Sequence, residues 1–326
     1  MNDFKHLHII VTGAAGFIGS HLTESLLQTG AQVTGLDNFD PFYPRSEKEQ
    51  NLAGCLSNPR FRMLEGDIRD ADFVRRAFAS TSPQVLIHLA ARAGVRPSLA
   101  DPVGYADVNV RGTTVLLEAA RFCDVRNVVF ASSSSVYGIQ SRLPFHETDK
   151  TDSPLSPYGA TKKAGEVVCY AYHHLYELSV SCLRFFTVFG PRQRPDLAIR
   201  KFVDLVLRDE ELPIYGDGTT QRDYTHVRDI LTGILGAIRW GMSETPRFGV
   251  FNLGSSRPVV LRDLVDEIER LLERPVRRKH LPLQPGDMPA TYADTHLAES
   301  ELGFRHEVPF DDGLREFVEW MKHSTQ

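Results

Sequence analysis

The sequence predicts an α/β fold: a doubly wound parallel sheet accompanied by a smaller α/β substrate-binding domain. Three observations carry that expectation. Short apolar runs alternate with helical stretches through the first half, the runs are near-continuous rather than alternating in polarity, and a glycine-rich turn stands at the first strand–helix junction. Strands covered by helices on both faces read as continuous apolar runs, and repeated strand–helix units wind right-handed into a parallel sheet.

The elements follow in chain order. LHIIVT (7–12) is the first strand and 17–29 the first helix, with Gly30 placed to cap it. QVTGL (32–36) and FRMLE (61–65) are the next strands, and a helix covers 70–79. VLIHL (85–89) precedes a long helix over 103–122, introduced by Asp101-Pro102. NVVFAS (127–132), a helix over 157–177 and SVSCLRF (179–185) complete the alternation. After residue 183 proline and arginine thicken, as in GPRQRP (190–195), and helices alternate with loops such as YGDG (215–218). We expect residues 1–183 to form a dinucleotide-binding domain, with about 226–252 returning to it. Residues 184–326 are expected to form mainly the substrate domain. Ligands of such sheets lie beyond the carboxyl ends of the strands.

Composition narrows the function. The 326 residues carry a net charge of −5, which gives no electrostatic reason to expect nucleic acid as a partner. No apolar run reaches the roughly 18 residues that a membrane helix needs, and the N-terminus lacks the regions of a secretory leader. Cys55, Cys123, Cys169 and Cys182 show neither metal spacing nor a disulfide framework, so no metal is expected. A cytoplasmic, reduced setting is the expectation.

Gly13, Gly16 and Gly19 form G-x-x-G-x-x-G between the first strand and helix. Glycines there let the backbone turn tightly and approach a pyrophosphate, which rests on the helix N-terminus. Phe17 and Ile18 belong to the same turn. Asp37 ends the second strand, followed by Asn38; a carboxylate there accepts hydrogen bonds from ribose hydroxyls and repels a 2′-phosphate, favouring NAD over NADP. A strand-end turn is the plainer reading of Asp37. Asp67, before Ile68, is placed to bond the adenine amino group. Leu89, Ala90 and Ala91 let a dinucleotide lie flat, and Asn109 completes the expected cofactor set. His88 reads as a satisfied strand residue.

Tyr158 and Lys162 are one helical turn apart, after the fifth strand. An ammonium and the positive charge of an oxidised nicotinamide would both stabilise a phenolate, lowering the tyrosine pKa from about 10 toward neutrality. Ser133 lies in the run Ser132 to Ser135 that extends the fifth strand, where it can orient a substrate hydroxyl. The trio points to hydride chemistry on an alcohol.

These motifs resemble the extended branch of the short-chain dehydrogenase/reductase superfamily, specifically its NAD-dependent nucleotide-sugar epimerases. The resemblance runs through TGAAGFIGSH (12–21), LDN (36–38), GDIRD (66–70), HLAARAGVRPS (88–98), SSSSVYG (132–138), SPYGATK (156–162), RFFTVFGPRQRPD (184–196), QRDYTHVRD (221–229) and QPGDMPATYAD (284–294). It implies a Rossmann fold, a bound NAD, catalysis by Ser133, Tyr158 and Lys162, and a homodimer paired through helices 103–122 and 157–177.

Local features choose among sugars. The resembling dehydratases carry Asp-Glu after the catalytic Ser/Thr, where this chain has Ser134 and Ser135, so an acid for elimination is missing. Thr187 stands where UDP-glucose epimerases usually have Asn. Three compact hydroxyl donors suit a sugar carboxylate at C6. Gln284-Pro285-Gly286-Asp287, Arg194-Pro195-Asp196, the early Asp40-Pro41-Phe42-Tyr43 and the run Ala93-Gly94-Val95-Arg96 resemble the UDP-glucuronate 4-epimerases, whereas QRDYTHV (221–227) reads closer to the glucose-type or dehydratase pattern and Phe189 replaces a usual Tyr. By resemblance Arg194 and Arg222 hold the diphosphate, Asp287 the uridine ribose, and Arg96 also faces substrate. The expected reaction is UDP-glucuronate to UDP-galacturonate by transient C4 oxidation through a 4-keto sugar. UDP-glucose or UDP-N-acetylglucosamine epimerisation, UDP-glucuronate decarboxylation and a non-catalytic nucleotide sensor are the alternatives.

Overall fold

The computed structural model describes residues 3–140, 142–282 and 288–324. Seven strands form one sheet: β1 (His8–Thr12), β2 (Gln32–Asp37), β3 (Phe61–Glu65), β4 (Val85–His88), β5 (Asn127–Ser133), β6 (Ser179–Phe185) and, numbered for its place in the chain, β10 (Phe248–Leu253). Between the last two lie β7 (Thr187–Phe189), β8 (Leu212–Tyr215) and β9 (Gln221–His226); β11 (Pro258–Val260), β12 (Arg278–Leu281) and β13 (Ala290–Thr291) follow. The large sheet runs 3-2-1-4-5-6-10, every neighbouring pair parallel. Strand order reverses between β1 and β4, and this switch point opens a crevice at the strands' carboxyl ends.

Alternation along β1 shows why both faces are apolar. Ile9 and Val11 pack with Leu22 and Leu26 of helix Phe17–Gln28 and with Ile230 and Ile234 of helix Val227–Gly241. Ile10 points the other way, into Val74 and Phe78 of helix Ala71–Thr81 and Leu116 of helix Gly112–Phe122. Each such fully buried side chain contributes about 1.5–3 kcal/mol. A third cluster joins Phe202, Leu264, Ile268 and Phe317 around the smaller sheets, where β7 and β13 flank β9 in parallel, β11 pairs with it antiparallel, and β8 pairs with β12.

Two expectations need correction. The predicted helix over 103–122 is an α-turn at Pro102–Ala106, a π-helical stretch at Asp107–Arg111 and an α-helix from Gly112 to Phe122. The widened turn sets Asn109 so that its Nδ2 donates to the Arg92 carbonyl (2.9 Å) and to Thr161 Oγ1 (3.0 Å), while its Oδ1 accepts from Arg92 N (2.8 Å). Helix Arg45–Leu56 has no counterpart in the sequence pattern; its buried face includes Lys48 and Asn51, so it shows no apolar periodicity. Among the described residues, no helix is long and apolar enough to cross a membrane, and no group of metal-binding side chains occurs.

Candidate active site

A cavity of about 820 Å³ occupies the crevice, reaching from the glycine turn to the start of β7. At its floor Gly13 has φ +72°, and its N–H donates to the Leu36 carbonyl at 2.7 Å. A Cβ on Gly13 would sit 2.9 Å from Ala90 N, and one on Gly19 only 2.0 Å from Gly13 O. The glycines are therefore demanded by close backbone approach as well as by the left-handed turn. Gly16 caps helix Phe17–Gln28 with no side chain in the way, leaving its first N–H groups open to an anion. Asp37 Oδ2 accepts from Ala15 N (3.0 Å) and Oδ1 from Phe39 N (2.8 Å), which orients the carboxylate at the cavity rim. Burial raises its pKa, opposed by those two backbone bonds and by Lys48. Asn51 Nδ2 ties helix Arg45–Leu56 to the turn by donating to the Ala15 carbonyl (3.1 Å).

Asp67 and Ile68 line the cavity, but the Asp67 carboxylate is already saturated. Oδ1 accepts from Arg69 N and Nε (2.8 and 2.9 Å), and Oδ2 from Arg69 Nη2 and Asn38 Nδ2 (2.8 and 3.0 Å). A carboxylate offers about four such positions, so none is left here for the expected adenine amino group. The Arg69 bonds hold its pKa down at about 2.

At the other end β5 delivers Ser133, whose Oγ accepts from Ser135 N (3.2 Å) and donates to Ser135 Oγ (3.2 Å). The strand stops there, and Ser134–Tyr137 is a single 3₁₀ turn that aims Ser134 and Ser135 into the cavity. Helix Pro157–Tyr176 begins with Ser156, whose Oγ accepts from Gly159 N (3.1 Å), and with Pro157 in its first turn. A Cβ on Gly159 would lie 2.5 Å from Ser135 O, so the helix start rests directly on the serine run. Tyr158 and Lys162 both reach the cavity.

The expected pKa lowering at Tyr158 is not a property of the chain alone. Burial raises the phenol, and a hydrogen bond with Ser133 and the charge of Arg194 oppose it. Lys162 donates from Nζ to the Ala131 carbonyl at 2.7 Å and stands 6.0 Å from the Tyr158 ring centroid. Burial lowers its own pKa to about 8. Desolvation penalises both charged forms, so the phenolate needs the further positive charge of a bound nicotinamide.

Of the expected substrate contacts, Ser134, Ser135, Thr187 and Arg194 line the cavity. Arg194 pairs with Asp196 (2.6 Å), bonds the Ala93 carbonyl (3.2 Å) and stacks on Phe42. Arg96, Arg222 and Asn109 do not line it. Arg96 lies over the Tyr215 ring (4.5 Å), and Arg222 Nη1 donates to the Gln221 and Met288 carbonyls (both 2.8 Å). Asp287 lies outside the described residues. Sequence reasoning missed Lys48 and Tyr105 in the wall, where Tyr43 also stands. Lys48 Nζ donates to the Asp40 carbonyl (2.6 Å) beneath Tyr43, and Tyr105 packs edge-on against Tyr158 with centroids 6.3 Å apart. Neither Lys48 nor Tyr105 belongs to a motif or an apolar period. His88 is satisfied by Thr12 and Thr113 (2.8 and 2.9 Å), and burial lowers its pKa to about 3.

The profile of the NAD dependent epimerase/dehydratase family matches residues 9–254. A UDP-glucuronate 4-epimerase of Thermodesulfobacterium geofontis is 38% identical, covering 98% of this chain and 97% of that one. The crystal structure of UDP-glucuronic acid 4-epimerase from Bacillus cereus, in complex with UDP-glucuronic acid and NAD, superposes with TM-score 0.91 at 34% identity over 98% of this chain and 100% of that one. A UDP-glucose 4-epimerase from Thermotoga maritima, solved with UDP-glucose, superposes with TM-score 0.89 at 31% identity over 98% and 100%.

Proposed function

Because the chain belongs to the NAD dependent epimerase/dehydratase family, we propose that it is an isomerase, an NAD-dependent 4-epimerase converting UDP-glucuronate to UDP-galacturonate. The observation that carries the choice of sugar is the hydroxyl set of Ser134, Ser135 and Thr187 in the cavity beside Tyr158, with no carboxylate next to Ser133 in the chain. NAD fits the tight glycine turn, where close backbone contact excludes a Cβ at Gly13 and Gly19, and the oriented Asp37 carboxylate. When bound it supplies reversible hydride acceptance at the sugar C4.

The chain's residues do the rest. Gly13, Gly16 and Gly19 let the backbone meet the pyrophosphate, and Asp37 accepts from the ribose hydroxyls. Tyr158 takes the proton of the C4 hydroxyl, Ser133 orients that hydroxyl, and Lys162 adds positive charge next to the phenol. Arg194 serves the diphosphate from the cavity wall, with residues 1–183 and about 226–252 serving the cofactor and 184–326 mainly the nucleotide sugar. Exposed Val103, Phe122, Val167, Tyr170 and Leu175 on the two paired-helix stretches support a homodimer, and we place it in the cytoplasm.

Oxidation of glucuronate at C4 gives a β-keto acid. Carbon dioxide leaves when the C5–C6 bond aligns with the carbonyl, the bonding electron pair passing into the C4 carbonyl; a proton gained at C5 and return to C4 of the hydride removed earlier would then give a UDP-pentose. Hydroxyl donors that localise charge on the carboxylate and fix its rotation suppress that loss. Thr187→Ala therefore raises the share of UDP-pentose about tenfold, the effect of one lost hydrogen bond to a charged group worth about 1.5 kcal/mol. Chromatography of the products checks this; an unchanged pentose share would remove Thr187 from the clamp. Likeness to the Thermotoga maritima enzyme favours neutral UDP-sugars as the second reading.

A further inference from the structure

We propose that the buried Glu166–Arg184 pair is a positioning device that sets the Ser134/Ser135/Thr187 donors in register with Tyr158, and so controls the balance between epimerisation and decarboxylation. Glu166 lies one turn beyond Lys162 on the helix that carries Tyr158. Its Oε1 accepts from Ser132 Oγ (2.6 Å) and Arg184 Nε (2.8 Å), and its Oε2 from Arg184 Nη2 (2.9 Å), with Lys163 Nζ at 3.5 Å. Glu166, Arg184 and Ser132 are 3%, 2% and 3% exposed. Ser132 immediately precedes Ser133 at the end of β5, and Arg184 stands on β6 three residues before Thr187. One carboxylate thus joins the three elements that hold the reacting and carboxylate-facing groups.

The far side of Arg184 extends the tie. Its guanidinium lies 4.7 Å over the Tyr137 ring, at the end of the 3₁₀ turn that bears Ser134 and Ser135, and its Nη1 donates to the Glu147 carbonyl (3.2 Å). Buried ion pairs of this kind add little net stability compared with apolar packing, whereas their geometry is specific. Neither Glu166 nor Arg184 lines the cavity, so the effect acts through placement. A displacement of about 1 Å at a reacting centre costs about 10²-fold in rate.

The inference rests on the proposed UDP-glucuronate activity, and the wild-type protein tests that activity in the same assay. Glu166→Gln keeps the side-chain shape but weakens the grip on Arg184; Ser132→Ala removes one link and leaves the ion pair intact. With UDP-glucuronate as substrate, Glu166→Gln is expected to lower kcat about 10- to 100-fold with KM within about threefold, and to raise the UDP-pentose share. Ser132→Ala should move both quantities the same way by less. Bound NAD content and Tm, measured in parallel, identify a variant that has not folded; if Glu166→Gln fails to fold, Ser132→Ala carries the test. Folded, NAD-loaded variants with wild-type kcat and product ratio overturn the positioning role, as does a fall in Tm alone. Absence of turnover by the wild type overturns the activity and this inference together.

Discussion

Tyr158→Phe lowers kcat on the nucleotide sugar by about 10²–10⁴-fold while leaving bound dinucleotide and Tm close to wild type. Removal of the hydroxyl deletes the group proposed to take the C4 proton, and two of its neighbours in the wall are committed elsewhere. Lys162 donates to the Ala131 carbonyl, and Tyr105 has its hydroxyl on the Ala93 carbonyl at 3.0 Å. A phenylalanine ring at this position would still pack against Tyr105 as that of Tyr158 does, so the fold loses little. Steady-state kinetics with chromatographic separation of epimers reads the effect. Retention of more than about a tenth of the wild-type kcat would show that the proton goes elsewhere.

Gly19→Ala is the second large effect, and it acts on the cofactor. The new Cβ would lie 2.0 Å from Gly13 O and 2.9 Å from Ala14 Cα, both backbone atoms that cannot swing aside. Relief requires the turn over 13–16 to open, which moves the N–H groups away from the pyrophosphate position. The helix-propensity gain of about 1 kcal/mol for Gly→Ala is too small to offset such a clash. Dinucleotide released from the denatured variant should fall at least about tenfold relative to wild type, with Tm lower by several degrees. Unchanged occupancy would mean that the glycine turn is not where the pyrophosphate sits.

The sequence and the structure agree where physics acts locally. β1, β4, β5 and β6 are legible because both-face burial leaves continuous apolar runs, and the glycine turn is legible because φ +72° and backbone contact at Gly13 admit no side chain. Helix Arg45–Leu56 is not, since Lys48 and Asn51 share its buried face with Leu52 and Cys55 and break the apolar stripe. The π-helical stretch around Asn109 leaves no mark in a hydrophobic pattern, and the side-chain bonds of Asn109 to Arg92 and Thr161 join residues distant in sequence. Asp67 illustrates the same limit: its position at the cavity can be read, but its saturation by Arg69 and Asn38 cannot. Tyr158 is the sharpest case. The expected lowering invokes Lys162 and a bound oxidised nicotinamide together, whereas burial of the pair, in the chain by itself, pushes the phenol up and the lysine down.

Substrate choice is the central claim, and it turns on a sugar carboxylate meeting Ser134, Ser135 and Thr187. Its direct measurement is the specificity ratio of the wild-type protein: kcat/KM for UDP-glucuronate against kcat/KM for UDP-glucose, with epimers and pentoses resolved. Charge-assisted hydrogen bonds lost with the neutral sugar, at about 1.5–3 kcal/mol each, predict a preference of at least about tenfold for UDP-glucuronate, with UDP-galacturonate as the main product. Equal or greater kcat/KM for UDP-glucose would contradict it.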